Sequence, residues 1–523
     1  MLDKTLISPG ARPAQASASS KAAKPRQPAI AGPLAAVDMG SNSFRLEIGQ
    51  LQHGRYRRID YLKETVRLGA GLDAERRLSE DAQQRGLGCL QRFAARLAGF
   101  EPSQVRAVAT QTLREAANRN GFLQRATQAL GHPIEVISGR EEARLIYAGV
   151  AHLQPSEAPR LVIDIGGRST ELILGRGRVP DTAESFSVGC VSLSMRFFPD
   201  GRLTDTAFRA AQVAAGAELE EALQPFAPRH WEQALGASGT AGAVSQVLMS
   251  AGISDGRITP AGLRWCIEQC IAAGHIDRVE LPRLKLERRA VLPGGLAILY
   301  TLAANFGIQT LWPAKGALRQ GVIIDLHERL QAQRHSRAGD MRDASVSALQ
   351  RRFGVDLAQA QRVTAVALAL FDGTRVPAGD QARRELAWAC ALHEVGLMVS
   401  HHDHHRHSAY LLAHADAPGF SQSQQQRLGE LVLGQRGGLR KVDAALADDM
   451  LAWQMLCLRL AVIQCHARTA VDAQALSLRA RGRAAHLGWA AGWAAEHPRA
   501  LFLLQEEAQA WARSTSLRLQ LPA

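Results

Sequence analysis

Apolar and polar positions follow different rhythms along the chain. In the first part, two short apolar runs each end in an aspartate, pass through a Gly- and Ser-rich turn and resume as a second run of β-type residues, which predicts strand-turn-strand hairpins. From about Ala338 to Cys465 the apolar residues recur at helical spacing, which predicts a helical region. Beyond His466 the runs shorten, and Leu476-Ser477-Leu478 and Leu517-Arg518-Leu519-Gln520-Leu521 alternate as strands do, which predicts a small α/β module. No stretch approaches the roughly 20 uninterrupted apolar residues that cross a bilayer.

The two hairpins are copies of one another. Ala36-Val37-Asp38-Met39-Gly40-Ser41-Asn42-Ser43-Phe44-Arg45 lies without gaps on Val162-Ile163-Asp164-Ile165-Gly166-Gly167-Arg168-Ser169-Thr170-Glu171, at a constant offset of 126 residues. A duplicated hairpin implies two related subdomains. Small residues in each turn let backbone N–H groups approach phosphate oxygens, Ser hydroxyls add donors, and the aspartate can hold a metal ion directly or through water. A single Asp-x-Gly is as well explained by hairpin geometry alone; two in register are not. A third loop, Gly236-Ala237-Ser238-Gly239-Thr240, follows the apolar Ala234-Leu235 and precedes a helical pattern, where it can seat phosphate at a helix N-terminus.

Charge supports an anionic partner. The 523 residues carry a net +13, with a pI near 9.9. Residues 1–33 are rich in Ala, Ser, Pro and Gly and carry five basic residues against Asp3, so they read as a disordered extension in the cytosol. That tail accounts for +4 of the +13, leaving +9 for the remainder. Aromatic residues are only 5%, and none interleave with basic runs, so base stacking and nucleic-acid binding are not expected. A phosphate-rich, base-poor ligand fits better. Seven scattered cysteines, without paired close spacing, read as buried thiols in a reducing cytoplasm. The nearest pair, Cys266 and Cys270, sits one helical turn apart in an apolar segment and reads as packing.

With these motifs in this order, the chain resembles the exopolyphosphatase/guanosine pentaphosphate phosphohydrolase family in its long form, within the actin-like ATPase superfamily. The resemblance runs from about residue 34 to the C-terminus. It rests on Asp38 to Phe44, Ala109-Thr110-Gln111-Thr112-Leu113-Arg114, Ile137-Ser138-Gly139-Arg140-Glu141-Glu142-Ala143-Arg144, Asp164 to Glu171, Gly236 to Thr240, and Leu292-Pro293-Gly294-Gly295. It implies an α/β fold of two actin-like (ribonuclease H-like) subdomains, 34–145 and 146–330, a helical HD-like domain, 331–465, and a C-terminal α/β domain, 466–523. It further implies a cytoplasmic homodimer that hydrolyses terminal phosphoanhydride bonds of inorganic polyphosphate or of guanosine pentaphosphate (pppGpp).

By that resemblance Glu142 is the catalytic glutamate that orients and deprotonates water, and its neighbour Glu141 has a local capping or pairing role. Asp38, Asp164 and Glu171 would hold Mg²⁺ or another divalent cation. Phosphate would be held by Gly40, Ser41, Asn42 and Ser43, by Arg114, by Gly166, Gly167, Arg168 and Ser169, and by Gly236, Ser238, Gly239 and Thr240. Two positions depart from the family pattern. Arg168 stands where a third glycine is usual, so it either impedes phosphate approach or adds a fork of donors. Lys315, in Pro313-Ala314-Lys315-Gly316, stands where aspartate is common. These departures motivate a third reading, a noncatalytic polyphosphate or nucleotide sensor. In the helical part, His393-Glu394 and His401-His402-Asp403-His404-His405-Arg406-His407 offer three readings: a metal site, a basic loop along an anion channel whose partly protonated imidazoles attract polyphosphate, or packing.

Overall fold

The computed structural model describes residues 32–334, 340–513 and 517–522, so all but the last two residues of the basic tail lie outside the described residues. β1 (Leu34–Met39) is buried at every position, as a central strand covered on both faces must be. β2 (Phe44–Gln52) returns antiparallel to it, and β3 (Arg55–Glu64) forms an edge with a basic, largely exposed face. β4 (Val105–Ala109) and β5 (Ile134–Val136) add in parallel on the other side, giving the order β3-β2-β1-β4-β5. The second sheet repeats this plan with β6 (Arg160–Ile165), β7 (Thr170–Arg176), β8 (Val179–Phe186), β9 (Gln233–Gly236) and β10 (Leu311–Pro313), in the order β10-β9-β6-β7-β8.

The duplication extends to register. Asp38 pairs with Arg45 across the first hairpin, and Asp164 pairs with Glu171 across the second. Each sheet has an irregularity at the matching place, between Ile48 and Gly49 and between Leu174 and Gly175. Both glycines are there for a tyrosine ring. A Cβ on Gly49 would lie 2.5 Å from the Tyr56 hydroxyl, and one on Gly175 would lie 2.4 Å from the Tyr147 ring.

Two helices, Gly139–Leu153 and Leu318–Arg334, pack between the sheets in a core drawn from both, including Leu34, Ala36 and Val108 of the first and Val162, Ile173 and Leu235 of the second. The boundaries expected at 145/146 and 330/331 therefore fall inside helices. Those helices belong to the shared core, because their apolar faces contact both halves. A buried ion network fastens them. Asp325 accepts from Arg106 (2.7 Å), Arg144 (2.6 Å) and Arg329 (2.6 Å), while Arg144 also holds Glu141 at 2.7 Å. Glu141 in turn accepts from the Gly419 backbone N–H at 2.9 Å, which ties this unit to the helical region.

The helical region and the third sheet share one core. β11 (Leu476–Arg481) and β12 (Ala484–Trp489) are antiparallel, and β13 (Arg518–Gln520) adds in parallel to β12. Leu478, Leu487, Trp511 and Leu519 belong to the same cluster as Val363 and Leu456 of the helices. The C-terminal module expected over 466–523 is thus present as a sheet and helices, but it closes the helical core instead of enclosing its own. Among the described residues no helix is long and apolar enough to cross a membrane.

Candidate active site

The two hairpins meet at a cleft of about 340 Å³. Asp38 and the loop Gly40 to Ser43 line one side, and Asp164 with Gly166, Gly167 and Ser169 line the other. The loops touch: a Cβ on Gly167 would stand 3.0 Å from that of Ser41, so any larger residue there would press the loops apart. The third loop completes the wall with Ser238, Gly239 and Thr240. Ser238 has φ 79°, a conformation costing about 1–3 kcal/mol for a non-glycine residue. It is held there by hydrogen bonds from its own hydroxyl (3.1 Å) and that of Thr240 (3.2 Å) to the Ile165 carbonyl. The loop is thereby stitched to the end of β6, and the first turn of helix Gly239–Ser250 faces the cleft.

Glu142 reaches the cleft from the first turn of helix Gly139–Leu153, whose N-cap, Ser138, accepts from the Glu141 N–H. Its Oε2 accepts from Arg114 Nη1 at 2.8 Å, and the same nitrogen donates to the Ile137 carbonyl at 2.9 Å. Burial pushes the Glu142 carboxyl up, Arg114 opposes this, and the Asp38 charge adds to it. Burial and the Glu142 charge push Asp164 up to about 7. Glu171, 1% exposed behind Asp164, is raised well above its ordinary range by burial and by Glu142 and Asp164, and its Oε1 accepts from the Ser185 hydroxyl at 2.8 Å. Folding has therefore gathered carboxylates that repel one another.

The fit of this group to a divalent cation differs from ligand to ligand. Asp38 is committed to Arg45 at 3.2 Å and Arg319 at 3.6 Å. Asp164 and Glu171 form no ion pair among the described residues, and Glu171 accepts from the Ser185 hydroxyl. No three His, Cys, Asp or Glu side chains among the described residues gather into a ligand cage.

Three expected phosphate contacts lie elsewhere. Arg114 holds Glu142 from outside the cleft wall. Gly236 packs at the end of β9, where a Cβ would stand 2.5 Å from that of Ala241. Arg168 carries its guanidinium to Glu115, at 2.8 and 3.1 Å, and not into the cleft; its φ is not positive, so an arginine fits the turn without backbone strain. Lys315 does line the cleft. So do Arg45, Arg58, Lys63, Arg288 and Arg319, which sequence reasoning did not single out. Only Arg45 had a readable signal, since it stands in the repeat where the second copy has Glu171. Arg58 and Lys63 come from the edge strand β3, and Arg288 and Arg319 from two separate helices, Leu286–Arg289 and Leu318–Arg334.

The His-rich segment is divided: His401 and His402 are exposed, whereas His404 and His405 are not. His404 and His405 begin helix His404–His414 and are buried, and burial pushes both imidazoles down to about 4, with Arg436 lowering His404 further and Lys441 lowering His405. Both are neutral at pH 7, which removes them from any electrostatic attraction of polyphosphate.

Comparison with known proteins adds to this geometry. The Ppx/GppA phosphatase family model matches residues 48–330, and that of Ppx/GppA phosphatase domain III matches residues 341–508. An exopolyphosphatase from Cytophaga hutchinsonii is 22% identical, with a TM-score of 0.52 over 57% of this chain and 98% of its own. An exopolyphosphatase-like protein is 25% identical, with a TM-score of 0.52 over 57% of this chain and 99% of its own. The Aquifex aeolicus member of the Ppx/GppA family is 24% identical, with a TM-score of 0.49 over 58% and 99%.

Proposed function

This chain belongs to the Ppx/GppA phosphatase family, and from that premise we propose that it is an exopolyphosphatase, releasing orthophosphate from the ends of inorganic polyphosphate. The observation that carries the reading is Glu142: a buried carboxylate, its pKa raised by that burial, fixed by Arg114 and facing the same cleft as both hairpin loops. A carboxylate so tuned can take a proton from water as the water oxygen attacks the terminal phosphorus. The bond to the bridging oxygen breaks, and that oxygen leaves on the shortened chain. Backbone N–H groups of the loops Gly40–Ser43 and Gly166–Ser169 and the first turn at Gly239 hold the phosphates, and their hydroxyls add donors. Mg²⁺ would be held by Asp164, backed by Glu171, and would neutralise phosphate charge there.

The cleft favours a phosphate chain over a nucleotide. Six basic side chains line it, Arg45, Arg58, Lys63, Arg288, Lys315 and Arg319. Its single aromatic residue is Tyr61, whose ring already lies under the guanidinium groups of Arg58 (5.5 Å) and Arg319 (5.2 Å), so its face is taken. The test is phosphate release from long-chain polyphosphate and from pppGpp, with Mg²⁺ or EDTA, and with Glu142→Ala as control. Faster Mg²⁺-dependent release from polyphosphate, lost in the variant, is expected. Preference for pppGpp would assign the sister activity, and release from neither would make this a binding protein.

A further inference from the structure

Arg168 stands in the second hairpin loop, yet both groups it binds belong to the first half of the molecule. Its Nε and Nη2 converge on Glu115 Oε2, at 3.1 and 2.8 Å, and its Nη1 donates to the Gly69 carbonyl at 3.4 Å. Its aliphatic stem passes over Gly69, where a Cβ would stand 2.9 Å from Arg168 Cδ, and the Gly69 N–H is itself bonded to the Ser41 carbonyl of the first loop at 2.8 Å. The ion pair is only 23% and 19% exposed, so solvent screens it less than a surface pair.

Glu115 does not end the chain of contacts. Its other oxygen, Oε1, accepts from Gln111 Nε2 at 2.5 Å, which turns the Gln111 amide so that its Oε1 faces Arg114. That oxygen accepts from Arg114 Nη2 at 2.6 Å and Nε at 2.9 Å, and the remaining Arg114 nitrogen, Nη1, holds Glu142 Oε2 at 2.8 Å. Each polar group in this line is bonded to the one before it, and Arg114 has one anchor besides, the Ile137 carbonyl at 2.9 Å. A single unbroken relay thus runs Arg168–Glu115–Gln111–Arg114–Glu142, starting on one half of the cleft and ending at the carboxylate on the other.

We infer that Arg168 is a positioning residue: it clamps the two halves across the cleft and, through Glu115, Gln111 and Arg114, sets the orientation of Glu142. The inference rests on the reading of Glu142 as the group that activates water. With Arg168 removed, Glu115 is left as an uncompensated, partly buried anion one helical turn from Gln111, free to draw Gln111 or Arg114 toward itself. Glu142 then loses its fixed direction while the phosphate-binding loops keep their donors.

The relay is tested by steady-state kinetics on whichever of long-chain polyphosphate and pppGpp the parent protein turns over, using Arg168→Gly, Glu115→Gln, the double variant, Arg168→Lys and Glu142→Ala. Arg168→Gly and Glu115→Gln should each lower kcat about five- to thirty-fold, the scale of a misplaced catalytic group, with KM changed less than twofold. The double variant should be no slower than the slower single one, since both break the same line. Arg168→Lys should recover part of kcat, because an ammonium can still reach Glu115 without filling both contacts. A raised KM with unchanged kcat would make Arg168 a substrate contact and overturn the inference; so would parental kinetics in Arg168→Gly, or additive losses in the double variant. Loss of turnover in Glu142→Ala with a parental Arg168→Gly would sink the relay alone, whereas turnover retained in Glu142→Ala would sink the reading of Glu142 itself.

Discussion

Replacing Asp325 with Asn should unlock the central helices. Three guanidinium groups, of Arg106, Arg144 and Arg329, close on this carboxylate at 2.6–2.7 Å, with side chains 3–11% exposed. Arg144 keeps Glu141 and Arg106 keeps Glu135 when the charge is removed, but Arg329 keeps no ion pair among the described residues, only its hydrogen bond to the Gly419 carbonyl. Breaking one partner out of a buried ion network costs about 3–5 kcal/mol, because cations remain in a poorly solvated interior. For a unit of this size that is a fall in melting temperature of roughly 10 °C. The pH dependence has a definite sign. Burial alone would raise the pKa of Asp325, but the three arginines outweigh it and hold the carboxyl well below its ordinary 3.8. The native state therefore binds fewer protons than the unfolded chain, and the stabilisation is complete above pH 4 and lost as the pH falls below it. Thermal melts of parent and Asp325→Asn should show the full gap from pH 5 to 8 and a narrowing gap toward pH 3.5. A gap below 1 kcal/mol at pH 7, or one indifferent to acid, would refute the reasoning.

Three further outcomes are expected. Gly321→Ala should lose about 1–3 kcal/mol in urea denaturation, because its Cβ would meet the Leu145 carbonyl oxygen at 1.7 Å and the helices would have to part. Asp164→Asn should abolish phosphate release and yet stabilise the protein in EDTA: with its pKa raised from 3.8 to about 7, Asp164 makes the native state lose stability as pH rises through that window. Melts at pH 5 and pH 8 should show the advantage of the variant growing by about 2–4 kcal/mol between them. All seven cysteines are buried, and burial pushes Cys266 and Cys270 up to about 12, so an aromatic disulfide reagent should titrate them only after unfolding.

The hairpins and their loops were legible because each is a local pattern, whereas Glu142 was singled out only by the family resemblance. A strand end, a turn of small residues and a capped first helical turn fix their own geometry within a dozen residues, and duplication at an offset of 126 doubled the signal. Arg168 was legible as a departure but not in its role. A glycine position filled by arginine suggested either a blocked loop or an extra phosphate donor; Glu115, which receives it, lies 53 residues away with no motif to announce the pairing. The histidine run left three readings open for a related reason: only the fold shows that His404 and His405 are buried while His401 and His402 are exposed.

By itself, then, the sequence determined two Asp-Gly hairpins, a third glycine-rich loop, a helical second half and an appetite for anions, all properties set by residue type and short-range spacing. Tertiary structure alone decided which charges neutralise one another. It committed Asp38 to Arg45 and Arg319, left Asp164 and Glu171 without an ion pair among the described residues, sent Arg168 to Glu115 of the other half and made one core of the helical region and the last sheet. Those choices depend on distances between segments far apart in the chain, and the energy of a charge depends on the burial and the partners it finds only once the chain has closed around it.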